Sequence, residues 1–410
     1  MERIIFHIDV NSAYLSWSAV EKCKKNPTAI DLRTIPSIIG GDPKSRHGIV
    51  LAKSTPAKKY GIKTAEPIAQ ALKKCPFLTI EPADHQLYRT YSEKFIAYLH
   101  TLTSQIEQVS VDECYLDFTG IAHLYESPTA AADMIRQTIF ESFGFTVNVG
   151  ISTNKLLAKM ASDFQKPNRT HTLYPHEIQA KMWPLPVSEL FMAGHASVKI
   201  LNKLEILTIG DLAKANPQML ETHLKSHGRL LWEYANGMDD SPVESEPAKA
   251  KGIGNSTTLP KDVTSEQEAK KILYALAQKV ASRLKASGQC ASSICVEIKY
   301  HTFISVSHQM GIHTPTNQTE IIYKNACLLF DALWDDTPIR LLGIRTTKLT
   351  STEEPVQMNL FDLKQTKKDI KKEKLEAALQ KVRTKYGETV VQTGNDMINL
   401  SQNAKKEKPE

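Results

Sequence analysis

Apolar residues run almost unbroken through Ile4-Ile5-Phe6-His7-Ile8-Asp9-Val10, the pattern of a strand buried on both faces. The period then changes. Residues 11–25 read as a helix from Ser12 that stops at Asn26-Pro27, Ile35–Gly41 as a short strand or turn, and 47–78 as alternating strand and helix. A long amphipathic helix is predicted over 84–106 and a strand over 109–118. A helix over 128–142, a strand Thr146–Ile151 and a helix Asn154–Phe164 follow. Alternating strands and helices predict an α/β or α+β region over roughly 1–168.

The next stretch, 174–238, is mostly helical in pattern, with glycine turns in Leu190-Phe191-Met192-Ala193-Gly194-His195 and Leu207-Thr208-Ile209-Gly210-Asp211-Leu212. Such turns serve either as ordinary helical hairpins or as places where backbone N–H groups meet a DNA phosphate. Residues 239–251 are polar and proline-bearing, a predicted linker. Beyond it, strand Gly252–Thr258, helix 265–287, strands Ser292–Tyr300 and Ile304–Gly311, helix 317–334 and strand Ile339–Leu349 predict a small α+β domain. From 351 the chain is rich in Lys and Glu and reads as a mobile tail.

Composition adds little but narrows the class. A chain of 410 residues that is 41% hydrophobic has room for several cores. It has no apolar run of membrane-spanning length and no secretory pattern at its start, so a cytoplasmic protein is expected. Six scattered cysteines lack metal-ligand spacing and read as free thiols. The net charge of +6 suits a polyanionic partner.

Candidate chemistry lies where carboxylates meet apolar runs: Asp9 ends the first strand, and Asp112-Glu113 precede Cys114-Tyr115-Leu116. An unpaired buried carboxylate is costly, and divalent cations are the usual partner for several together. Three carboxylates from two neighbouring strands can hold two Mg²⁺ ions about 4 Å apart for phosphoryl or nucleotidyl transfer. The alternative is that Asp112 and Glu113 sit at an exposed strand end and Asp9 caps a helix.

Several stretches taken in order resemble the Y-family of translesion DNA polymerases. They are Asp9-Val10-Asn11-Ser12-Ala13-Tyr14, Lys58-Lys59-Tyr60-Gly61-Ile62-Lys63-Thr64, Ser110-Val111-Asp112-Glu113, Val149-Gly150-Ile151-Ser152-Thr153-Asn154-Lys155 through Lys166-Pro167-Asn168, and Lys251-Gly252-Ile253-Gly254 through Pro260. The resemblance implies a multidomain right hand. Its palm would be 1–25 and 79–168, small fingers 26–78, a helix-hairpin-helix-like thumb 169–238, a linker 239–251 and an α+β little finger 252–350. It implies that Asp9, Asp112, Glu113 and the Val10 carbonyl hold two Mg²⁺ ions, and that Tyr14 is a steric gate against ribose. It implies that Thr55, Lys58 and Lys166 face the triphosphate of a dNTP, with primer–template DNA as the other substrate.

Some positions depart from that pattern. Lys58 and Thr55 replace a commoner arginine and tyrosine, which predicts a weaker or rearranged phosphate contact. Asn11 and Ala13 look closer to the catalytic subunit of polymerase V than to polymerase IV, which leaves room for an accessory subunit. Lys155 and Lys159 fit a solvated helix face or a template contact equally well, and Cys114 reads as inert. In the tail, Gln357-Met358-Asn359-Leu360-Phe361 is similar to the peptide by which bacterial polymerases grip the sliding clamp. No second acidic cluster points to a proofreading nuclease. The competing readings are a catalytically inactive DNA- and clamp-binding protein, and a two-metal nuclease or cyclase on a similar palm.

Overall fold

A computed structural model describes residues 2–41 and 48–352, with Ala378 beyond them. The chain divides into two compact units, residues 1–249 and 250–410.

In the first unit the strands are Ile5–Val10 (β1), Ser37–Gly40 (β2), Val50–Lys53 (β3), Thr79–Pro82 (β4), Ile106–Gln108 (β5), Glu113–Asp117 (β6), Val147–Ser152 (β7) and Thr170–Thr172 (β8). Five of them form one sheet in the order β5-β6-β1-β7-β8, with β1 antiparallel to both neighbours. Every residue of β1 is buried. Alternation divides its side chains between the two faces. Phe6, Ile8 and Val10 enter the large core beneath the helices Ala13–Lys25, His85–His100 and Pro128–Phe143. Ile5, His7 and Asp9 point the other way, toward the helix Lys155–Asp163.

That helix lies unusually close to the sheet, and Gly150 on β7 is the reason. A Cβ there would stand 2.0 Å from the Ala158 carbonyl oxygen and 2.4 Å from the Ser162 nitrogen. Only a residue without a side chain allows this approach.

A smaller three-stranded sheet, β3-β2-β4, carries its own core of Ile38, Val50, Ile62, Ile68 and Leu78. Helices His195–Lys203, Ile209–Lys214, Pro217–Leu224 and Ser226–Ala235 pack around Leu201, Ile209, Leu212, Leu220 and Leu231.

Two expectations need correction here. The helix predicted over 84–106 ends at His100, and Ile106–Gln108 is a strand. The apolar period continues through Leu102 and Ile106, but Thr101 to Ser104 break the helix between them. Residues 109–112, predicted as strand, form the turn before β6. Ser110 Oγ accepts from the N–H groups of Asp112 (3.2 Å) and Glu113 (3.1 Å), a local bond that competes with strand pairing.

The predicted linker is also less free than its composition implies. Asp239 Oδ2 accepts from the Leu156 N–H at 3.1 Å, and Arg3 Nη2 donates to the Ser241 carbonyl at 3.0 Å. The Glu244 N–H donates to Glu107 Oε2 at 2.9 Å, while Val243 packs beside Ile5, Tyr115 and Ala158. The chain is therefore docked through residue 244.

The second unit is one antiparallel sheet of Gly252–Val263 (β9), Gln289–Tyr300 (β10), Ser305–Thr316 (β11) and Ile339–Ser351 (β12), in the order β11-β10-β12-β9. Helices Glu266–Ala286 and Thr319–Leu333 share a core with the sheet that includes Leu273, Val280, Val296, Phe330 and Leu342.

Candidate active site

Strand register brings the acidic residues together. Asp9 lies directly opposite Glu113, and the Val10 N–H donates to the Asp112 carbonyl at 3.0 Å. Like charges facing across a strand pair repel. Two lysines offset this. Lys159 Nζ is 3.1 Å from Glu113 Oε1, 3.4 Å from Asp163 Oδ2 and 4.0 Å from Asp9 Oδ2. Lys166 pairs with Asp9 and, at 2.8 Å, with Asp163.

Lys159 is buried, so neither a solvated face nor a template contact describes it. Lys155 is committed as well, at 2.7 Å to Glu107 and 5.0 Å above the Tyr115 ring.

The carboxyl groups are held at different proton affinities. Burial raises the pKa of Asp112, the charges of Asp9 and Glu113 add to this, and Ser110 opposes it. Glu113 is drawn down to about 2 by the facing His7 ring, against its own burial, and by Lys159. His7 Nε2 is 3.7 Å from Glu113 Oε2, which is too long for a hydrogen bond, and burial lowers the pKa of His7 itself. Lys159 is therefore the firmer partner. The Cys114 thiol is fully buried, and burial with the charges of Glu113 and Asp9 pushes its pKa up, which leaves it inert.

Asp9, Val10, Thr55, Lys58 and Lys166 share one cleft of about 270 Å³, together with Arg33. Tyr14, Asp112 and Glu113 are not on its walls. Tyr14 stacks on Tyr88 with ring centroids 4.3 Å apart and stands edge-on to His85 at 6.2 Å. Its hydroxyl pKa is raised by burial and then by the charge of Asp112. One turn along the helix, Trp17 packs against Tyr14, Tyr88, Tyr91 and Phe145. Gln357, Leu360 and Phe361 lie outside the described residues.

Among the described residues, no three His, Cys, Asp or Glu side chains close on one point. Lys166 holds Asp9, Lys159 holds Glu113, and Ser110 Oγ donates to Asp112 Oδ1 at 2.6 Å. The donor set still suits a hard divalent cation. It consists of carboxylate oxygens, with Asp9 lying directly opposite Glu113 across the strand pair.

Sequence reasoning missed His7, Ser162, Asn148 and Arg33. The available signal was a polar residue inside an apolar strand, as at His7 and Asn148, where burial forces each polar atom to find a partner. It also missed a shallow cleft of about 780 Å³ on the sheet of the second unit. Strand register sets Ser307, Glu297, Gly343 and Ser256 side by side across it, with Arg345 and Lys251 also on its walls.

Comparison with known proteins places this geometry. Residues 8–163 match the impB/mucB/samB family, and residues 250–360 match the C-terminal domain of that family. The chain is 46% identical to DNA polymerase IV of Clostridium acetobutylicum over 391 residues, covering 95% of this chain and 97% of that one. It is 34% identical to DNA polymerase IV of Acetivibrio thermocellus, over 96% and 97% of the two chains. A solved Y-family DNA polymerase chimera superposes with a TM-score of 0.74 at 24% identity, over 85% of this chain and 99% of that one. The chain belongs to the impB/mucB/samB family, the Y-family of DNA polymerases. Its fold is that family's right hand of palm, fingers, thumb and little finger.

Proposed function

We propose that this chain is a template-directed DNA polymerase of the low-fidelity translesion type, which adds a dNTP to a primer 3′-hydroxyl. The observation that carries the reading is that strand register sets Asp9 opposite Glu113, with Asp112 in the turn just before β6, while Asp9 shares a cleft with Lys58 and Lys166. Proteins named DNA polymerase IV match it over nearly its whole length, which favours an active enzyme over an inactive binding protein.

Asp9, Asp112, Glu113 and the Val10 carbonyl would hold the metal. Two bound Mg²⁺ ions would lower the pKa of the primer hydroxyl and neutralise the triphosphate and leaving pyrophosphate. Lys58 and Lys166 supply point charges to the phosphates, and Thr55 at the start of the helix Thr55–Lys58 lines the same cleft. Tyr14, braced by Tyr88, presents a fixed ring where the added hydroxyl of a ribonucleotide would clash.

In this reading 1–25 and 79–168 are palm, 26–78 fingers, 169–238 thumb and 252–350 little finger. The polar trough of the second unit, with Arg345 and Lys251, faces duplex phosphates. Residues 357–361 would tether the enzyme to the sliding clamp. Among the described residues no helix is long and apolar enough to cross a membrane, and we place the working enzyme on cytoplasmic, nucleoid-associated DNA.

Primer extension by the purified chain tests this directly, on undamaged and abasic templates with Mg²⁺ and Asp112→Ala as control. Extension that vanishes in the variant supports the reading and shows that no accessory subunit is needed. Extension that persists in the variant overturns the metal assignment. Activity that appears only with a partner makes that subunit obligatory.

A further inference from the structure

Asn11 and Asn148 form a buried pair of amides next to the segment that carries Lys166. Asn148 Nδ2 donates to two main-chain carbonyls, Ser162 at 3.0 Å and Gln165 at 2.7 Å. Its Oδ1 is thereby fixed as the acceptor, taking the Arg169 N–H at 3.2 Å and Asn11 Nδ2 at 3.1 Å. On the other amide, Asn11 Oδ1 accepts the Asn168 N–H at 2.8 Å and the Thr146 hydroxyl at 3.0 Å. The two side chains thus tie down residues 162, 165, 168 and 169, on both sides of Lys166. Main-chain partners set the orientation of each amide, so neither flips without leaving buried groups unpaired.

We propose that Asn11 and Asn148 are positioning residues that fix where Lys166 stands in the cleft, and that residue 11 must be an amide in this chain. The inference rests on the reading of Lys166 as a triphosphate contact. A carboxylate at 11 keeps the bonds from Asn168 and Thr146 but loses the donor to Asn148. Two acceptor oxygens would then face each other in a buried site, and Asn148 could not turn to meet them. The result is a displaced lysine rather than a damaged reaction centre. Asn11, which in sequence resembles another branch of the family, has its explanation in its partner Asn148.

The test is steady-state single-nucleotide incorporation by the full chain with Asn11→Asp, Lys166→Ala and the double variant, using primer–template, one dNTP and Mg²⁺. Asn11→Asp is expected to raise KM for the dNTP about tenfold with kcat within about threefold. In the Lys166→Ala background the same substitution adds less than about twofold, because it acts through the lysine. If Asn11→Asp does not fold, Thr146→Val removes one bond to Asn11 Oδ1 and raises KM about threefold by the same route.

An unchanged KM in Asn11→Asp, a loss confined to kcat, or a full additive effect on top of Lys166→Ala overturns the inference and leaves the proposed function intact. An unchanged KM in Lys166→Ala is a different failure. It removes the reading of that lysine as a phosphate contact, and this inference with it.

Discussion

At the paired ends of β1 and β6 every charged side chain has at least one fixed partner, and Lys159 alone reaches three carboxylates. The trough in the sheet of the second unit is built the opposite way. Its central row, Ser307, Glu297, Gly343 and Ser256, has three small residues, and its basic groups stand at the side. The first arrangement ties each charged group to a partner, the kind of preorganisation that catalysis requires. The second presents charge over a surface with few points of rigid contact, which suits binding to a phosphate backbone whatever its bases. In the proposed reading, one chain separates the part that must be exact from the part that must be tolerant.

Substitutions on each side should expose that division. The largest effect is expected from Asp112→Ala, which should lower incorporation by at least about 10³-fold. Fluorescence anisotropy should show duplex binding unchanged within about twofold, and a parallel loss of binding would erase the contrast.

Gly150→Ala should come next, because its methyl group would collide with the main chain of the helix that carries Lys159. A destabilisation of about 3 kcal/mol is expected in urea unfolding, with lowered activity at 25 °C. A stable, fully active Gly150→Ala variant would mean the close approach of that helix is not needed.

In the second unit, Lys251→Ala together with Arg345→Ala should weaken duplex binding and reduce the salt slope by about 2, with kcat unchanged. A fall in kcat at saturating DNA would assign the trough a role in chemistry.

The smallest effect concerns acid. The folded pKa of Glu113, about 2, lies below its ordinary value of 4.5, so its contribution to stability is complete above pH 4.5 and is lost as pH falls toward about 2. Wild type should therefore lose stability more steeply than Glu113→Gln over that window in pH-dependent urea melts, and parallel curves would contradict the pairing.

How much of this was legible follows from where each signal resides. Asp9, Asp112 and Glu113 stood out because charge beside an apolar run is conspicuous along a single chain. The order of strands and helices over residues 252–351 was also readable, but the strands expected to end at Thr258 and Gly311 run on to Val263 and Thr316. The turn at Ser110 was not, because one hydroxyl capturing two amides overrides strand propensity. Lys155 and Lys159 looked like surface residues, as helical spacing cannot reveal that a glycine on another strand lets the helix sink onto the sheet. The trough was invisible for a similar reason. Its rows are assembled from four strands spread over about a hundred residues, and no local pattern records which side chains become neighbours.

Trp17 lies fully buried, three residues along the helix from Tyr14 and within an aromatic cluster that includes Tyr88 and Tyr91. An indole in such surroundings emits toward the blue and reports any loosening of its helix as a red shift. With Trp183, Trp232 and Trp334 replaced by phenylalanine, the chain would carry one native fluorophore beside Tyr14, the ring proposed to discriminate between sugars. The molecule thus contains its own optical gauge of how firmly that ring is held while nucleotides come and go.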